Sequence, residues 1–189
     1  MKGILRGGVF EYKNTPYPII PKRAVHYDII LEKTHDQMTA MLSHHSRVII
    51  ILFNLRCHEY TADNKWVSRL FGKLKKQLRI KHNMKRIGHI WAREQETADK
   101  QHYHCALLLA GNKIRRAKEV IELIERICDN SGLPKPYIPE NCYYQVDRGM
   151  DDQFSACFRR LSYCAKVNGK GKKGLACNDY STSRIKLKA

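Results

Sequence analysis

The chain has 189 residues, 43% of them hydrophobic, which is enough for one domain with a substantial core. Thirty-five lysines and arginines against eighteen acidic residues leave a formal charge of +17. That excess points to a polyanionic partner, nucleic acid first, because each phosphate neutralised releases counterions. Seven cysteines with no CxxC pair argue against a disulfide framework and against a zinc ribbon. The longest apolar run, VIIILF at 48–53, is too short to span a membrane, and the opening MKGILRGG lacks the apolar stretch of a signal peptide. A cytoplasmic protein with no membrane partner is expected.

Residues 1–21 read as an irregular arm, since Pro16, Pro18 and Pro21 interrupt regular structure. From Lys22 to about Leu42, Val25, Ile29, Ile30, Met38 and Leu42 recur with a loose helical period. RVIIILFNLR, 47–56, is apolar and β-branched at successive positions, the pattern of a central strand covered on both faces. Asp63 is placed to cap the next helix. Trp66, Val67, Leu70, Phe71, Leu74 and Leu78 share one of its faces, and Lys65, Arg69, Lys73, Lys76 and Arg79 lie mostly on the other.

IGHIWARE, 87–94, reads as a strand, and QETADKQ as a polar connection. HYHCALLL, 102–109, follows as a second strand, antiparallel to the first because the connection is short. A helix is expected over about 117–130, with Gly132 placed to end it, then a loop, SGLPKPYIPEN. CYYQVDR, 142–148, reads as an edge strand. The last helix is expected over 151–167, stopped by Asn168 and Gly169 and followed by a basic, partly mobile tail over 169–189. The order predicts an α+β chain: a central antiparallel sheet of four to five strands with flanking helices, ferredoxin-like as in RNA-recognition folds. The main domain is expected over 22–168.

His102 and His104 open an apolar strand. Residues i and i+2 share a face, about 6.6 Å apart along the backbone. Both imidazoles can therefore converge on one ion, while Tyr103 and Cys105 point the other way. Two histidines leave a divalent ion short of ligands. The preceding strand ends in Glu94, Gln95 and Glu96, and the hairpin can bring one of these carboxylates beside the pair. Taken alone, an H-x-H at a strand end is more often two half-exposed histidines.

The last helix adds a second signal. Phe154, Cys157, Phe158, Leu161, Cys164 and Ala165 form its apolar stripe. In a continuous helix Tyr163 lies roughly 160° from the centre of that stripe, near Lys166 and Arg159. A tyrosine hydroxyl attacks a phosphorus when a metal draws charge from the phosphate. A free phenol has a pKa of about 10, so a lysine one turn away is a plausible stabiliser of the phenolate or a holder of a phosphate oxygen. If the stripe lay flat on the sheet, however, Tyr163 would point away from the histidines.

These residues resemble the HUH endonucleases that initiate rolling-circle replication. The apolar first strand matches RVIIILFNLR, the His-hydrophobic-His motif matches HYH at 102–104, and the Tyr-x-x-Lys motif matches YCAK at 163–166. More narrowly, WAREQETADKQHYHCALLLAGNKIRR is similar to the inovirus-type replication proteins and their prophage relatives, the YagK/YfjJ C-terminal domain family, over roughly 40–168. The resemblance implies a metal site of His102, His104 and a carboxylate upstream. Glu94 fits that position best and Glu96 is the fallback. It further implies Mg²⁺ or Mn²⁺, Tyr163 as nucleophile, Lys166 as its partner, and nicking of single-stranded DNA at an origin, in a hairpin, through a 5′-phosphotyrosine. The resemblance implies an acidic residue at the end of the first strand, where this chain has Asn54. A single tyrosine in the catalytic helix argues against a two-tyrosine relay, and Tyr180 is a poor second nucleophile.

Lys73, Lys76, Arg79, Arg159, Lys170, Lys172 and Lys173 are candidates for DNA backbone contacts. No GxxxxGK[ST] occurs, so unwinding and synthesis are expected from a host or phage helicase and polymerase. The competing readings are a non-catalytic single-stranded DNA or RNA binder and an origin-binding interference factor on the same fold. Metal-dependent formation of a covalent DNA adduct separates the first reading from both.

Overall fold

The computed structural model describes residues 3–20, 23–114, 116–171 and 177–189. In chain order the elements are β1 (Ile4–Arg6), β2 (Val9–Tyr12), β3 (Thr15–Pro18), β4 (Val25–Tyr27), α1 (Asp28–His44), β5 (Arg47–Arg56) and α2 (Lys65–His82). Then come β6 (Gly88–Glu94), β7 (His102–Ala110), α3 (Ala117–Asp129), β8 (Tyr143–Asp147), α4 (Asp151–Leu161) and β9 (Tyr180–Thr182). The fold is α+β. Five strands form one antiparallel sheet in the order β8-β5-β7-β6-β9, with helices on both faces.

The two-sided burial explains the unbroken apolar run of β5. Its odd positions Ile49, Ile51, Phe53 and Leu55 enter a core under α2 and α3. Its even positions Val48, Ile50 and Leu52 enter a second core with α1, α4 and the β2–β3 hairpin. β7 alternates in the same way, with Leu107 and Leu109 on the first side and Ala106 and Leu108 on the second. Leu107 and Leu108 are fully buried, so truncating either to alanine costs on the order of 2–5 kcal/mol. The even face matters for function, because it continues past Ala106 to His104 and His102.

Three sequence expectations need correction. Residues 4–18, expected to hold no regular element, form three strands, and Phe10 and Ile19 of this region are buried in the second core. The prolines are tolerated for a geometric reason. Ile19 donates its N–H to Gly8 across the hairpin, so every second residue of β3 points its nitrogen inward, and Pro16 and Pro18 fall on the alternate positions. The helix expected from Lys22 starts at Asp28, because Val25–Tyr27 are taken up in pairing with β1.

The third correction concerns the last helix. It does not run to residue 167. α4 ends at Leu161, and Ser162–Ala165 tighten into a 3₁₀ turn. The buried Ser162 hydroxyl donates to the Arg159 carbonyl (2.7 Å), the acceptor that a further α-helical turn would use, and accepts from the Ile20 N–H (3.0 Å). Beyond it, the tail contributes β9 to the sheet, and residues 183–188 run along α1. There the Gln37 amide and Ser43 hydroxyl bond the backbone of Ile185 and Lys188.

Candidate active site

The site is built from rows of cross-strand neighbours on the even face of the sheet. In one row Asn54 of β5 stands opposite His104 of β7, which stands opposite Ala92 of β6. In the next, Arg56 stands opposite His102, which stands opposite Glu94. Directly opposed side chains on one face come within contact distance, so strand register alone assembles His102, His104 and Glu94. Their ligand atoms all lie within 4.8 Å of one another. Glu94 Oε2 is 3.2 Å from His104 Nε2 and 3.8 Å from His102 Nε2.

The surroundings prepare these groups for a cation. Asn54 Oδ1 lies 3.0 Å from His104 Nδ1, and in the tautomer this bond selects, Nδ1–H donates to the amide. The Nε2 lone pair then faces a carboxylate oxygen, two electron-rich atoms that need a proton or a cation between them. Burial, reinforced by the neighbouring His104, lowers the pKa of His102, which favours the neutral, ligating imidazole. For Glu94, burial works against ionisation. In the doubly protonated form of His104, its Nε2–H donating to Glu94 and the nearby Lys170 charge outweigh it and hold the carboxyl at about 2. Lys170 Nζ takes Glu94 Oε1 at 2.9 Å, which leaves Oε2 facing the imidazoles. Two imidazoles and one oriented carboxylate oxygen fit a divalent metal ion.

Tyr163 is brought to this centre by the 3₁₀ turn. Its ring packs edge-on against His104, with centroids 5.0 Å apart and an 80° interplanar angle. The orientation left open by the sequence is therefore resolved. α4 lays Cys157, Phe158 and Leu161 into the second core, and the change of winding after Leu161 lets Tyr163 meet the histidines. Lys166 Nζ donates to the Tyr163 hydroxyl at 3.4 Å and to Glu96 Oε1 at 2.6 Å, and it lies 3.8 Å from Glu94 Oε2. Burial opposes the charge on Lys166. Its hydrogen bond to Glu96 and the charge of Glu94 override that and raise its pKa, so it stays an ammonium. Glu96, held low by the same hydrogen bond, is an anchor for Lys166 and lies outside the metal triad.

The other expected contacts separate by position. Lys73, Lys76 and Arg79 are exposed on α2, which covers the sheet face opposite the site. Arg159 is exposed on α4, and Arg160 beside it lines a cavity with Tyr163 and His104. The Lys170 side chain, expected at a DNA backbone, is fully buried against Glu94 and also donates to the Lys166 carbonyl at 2.6 Å. A snorkelling cation with no partner would have faced water; this one is held by a buried carboxylate. Lys172 and Lys173 lie outside the described residues.

Asn54, left without a role by sequence reasoning, and Gly169, read there only as a helix stop, also take part in the site. Gly169 has φ +80° and donates no Cβ where one would sit 2.9 Å from Glu96 Cγ and 3.3 Å from Glu94 Cβ. Its carbonyl accepts the Gln95 N–H at 2.7 Å, which fastens the segment carrying Lys166 and Lys170 to the end of β6. The only sequence sign was Asn54 itself, a polar residue on the inward parity of an otherwise apolar strand.

No helix among the described residues is long and apolar enough to cross a membrane. Neither any curated protein nor any solved structure matches the chain. A family model does match, over residues 11–129, which begins within the N-terminal hairpin, takes in Asn54, Glu94 and both histidines, and stops short of Tyr163. That match spans more than half of the sequence, and the chain belongs to the YagK/YfjJ C-terminal domain family.

Proposed function

We propose that the protein is a metal-dependent single-stranded DNA endonuclease and strand transferase of the HUH kind, which nicks an origin to start rolling-circle replication of a phage, satellite or plasmid. The observation that carries this reading is the position of Tyr163, with its ring against His104 and its hydroxyl 3.4 Å from the Lys166 ammonium. A structural tyrosine needs neither neighbour.

His102, His104 and Glu94 would hold the ion, Mg²⁺ or Mn²⁺. Bound there, it would polarise a phosphate oxygen of the strand. Tyr163 Oη forms a bond to phosphorus as the bond to the 3′-oxygen breaks. The phenolic proton is released to water and the departing 3′-oxygen takes one up, so the exchange consumes nothing and reverses to rejoin strands. Lys166 is already protonated, so its part is electrostatic: it stabilises the developing phenolate or a phosphate oxygen. Asn54 and Lys170 hold His104 and Glu94 in their ligating orientations. Helicase and polymerase from the host or phage would complete replication.

The test uses labelled single-stranded oligonucleotides drawn from the neighbourhood of the gene. They are incubated with the protein in Mn²⁺, Mg²⁺ or EDTA, and with Tyr163→Phe, then resolved on denaturing protein gels. The expected result is label at protein mass that requires both metal and Tyr163. Binding without adduct across the pool and both metals would favour the non-catalytic binder.

A further inference from the structure

We infer that Tyr137 is a base-stacking platform at the centre of a groove that carries a single DNA strand across the site. The inference rests on the proposed action on single-stranded DNA and adds the path of the strand and a residue that positions it.

Three cavities of about 390, 330 and 490 Å³ border the site along the β5 side, and Tyr137 lines all three. The middle one contains His104 and Tyr163. Arg160 lines both the first and the middle cavity. The last contains both histidines together with Arg56 and Lys100. Cations thus stand at both ends of the row and an aromatic ring stands between them. Sites for single strands combine these two elements, positive charge that follows the phosphates and aromatic faces that take the bases.

Tyr137 is held by its backbone and not by its side chain. It bridges Asn54 in both directions, donating its N–H to the Asn54 carbonyl at 3.0 Å and accepting the Asn54 N–H at 2.8 Å. Pro136 is buried, and Ile138 packs onto the core of the far face. By strand alternation the residue between them projects to the near face, where its partner Asn54 reaches His104. Pro134, Pro136 and Pro139 restrict the backbone around it. The residue nevertheless remains 56% exposed. A large aromatic left in water on a fixed backbone, beside the nucleophile, serves no core. It loses little further freedom when a base stacks on it.

The experiment uses the full chain carrying Tyr163→Phe, so that no cleavage intervenes. A thymidine oligonucleotide of about a dozen nucleotides, with one 2-aminopurine moved along it, is titrated in Mn²⁺ and in EDTA. The expected result is a fluorescence change confined to one or two positions. Adding Tyr137→Leu should remove it and weaken binding about tenfold, within the range for loss of one stacked base. Tyr137→Phe should keep both signal and affinity. Arg160→Gln should reduce the salt dependence by about one counterion and leave the fluorescence change in place. Unchanged affinity and signal in Tyr137→Leu, or equal losses in the Leu and Phe variants, would overturn the inference. Adduct formation by the protein with Tyr163 intact is scored separately, so a failure to nick sinks the proposed activity while the stacking result stands on its own.

Discussion

Lys170 Nζ lies 2.9 Å from Glu94 Oε1, and both side chains are closed off from solvent. This pair divides the carboxylate: one oxygen is neutralised from behind, and the other faces the imidazoles. Lys170→Met leaves a buried charge with Lys166, 3.8 Å away, as its remaining lysine partner. Removing one partner of a buried pair costs about 3–5 kcal/mol, and the remaining lysine should reduce that to about 2–3. Urea unfolding measures the loss. Glu94→Gln combined with Lys170→Met should cost less than the two single changes together, because the double change leaves neither partner as an orphan charge.

Asn54→Leu removes the acceptor that fixes the His104 ring while keeping the branched shape of the side chain. The loss of such an outer partner lowers metal affinity about 10- to 100-fold. Calorimetric titration with Mn²⁺ checks this, and a melting temperature within a few degrees of the parent would show that the sheet is intact. An equal affinity in both proteins would mean that Asn54 does not orient the ligand.

Gly169→Ala places a Cβ 2.9 Å from Glu96 Cγ and 3.3 Å from the Gln95 nitrogen, in a backbone conformation with φ +80° that L side chains avoid. The expected cost is about 1–3 kcal/mol. Because the collision falls on the end of β6, metal binding should weaken in step with stability. A Gly→Ala change at Gly72, exposed in α2 with nothing within 4 Å of the added Cβ, should instead stabilise by about 0.5–1 kcal/mol.

Acid should destabilise the fold through two buried histidines away from the site. Burial lowers His35 to about 4, helped by Lys13, and lowers His89 to about 3, helped by Lys75. Both lie below the unfolded value of 6.5, so the unfolded chain binds more protons between these limits. Stability is therefore full above 6.5 and falls as the pH drops toward 4 and then 3. Each unit is worth about 1.4 kcal/mol, so the combined effect is several kcal/mol. His89→Phe keeps a ring beside Phe71 and should flatten the acid limb of urea midpoints plotted against pH.

Much of the sheet was legible because its patterns are local. RVIIILFNLR predicted β5 over the residues it occupies, and HYHCALLL predicted β7 one residue short of its end. β9 was missed. YST is three residues long with no alternation to read, and only its pairing with β6 makes it a strand. The hairpin at the N-terminus was hidden by prolines whose harm depends on which way each nitrogen points, a matter of pairing and not of composition.

The sequence by itself determined the period-two placement of His102 and His104 on one face, the two-sided burial of β5 and the apolar stripe of α4, because neighbours along a strand or helix carry those patterns. Tertiary structure decided the rest. Strand register set Glu94 opposite His102 and gave Glu96 to Lys166. A buried serine ended α4 early and turned Tyr163 onto His104. Lys170 was drawn inside because a buried carboxylate, distant in sequence, needed a counter-charge there. Periodicity reports which way a residue faces within its own element; which group it meets depends on pairing and desolvation between segments far apart in the chain.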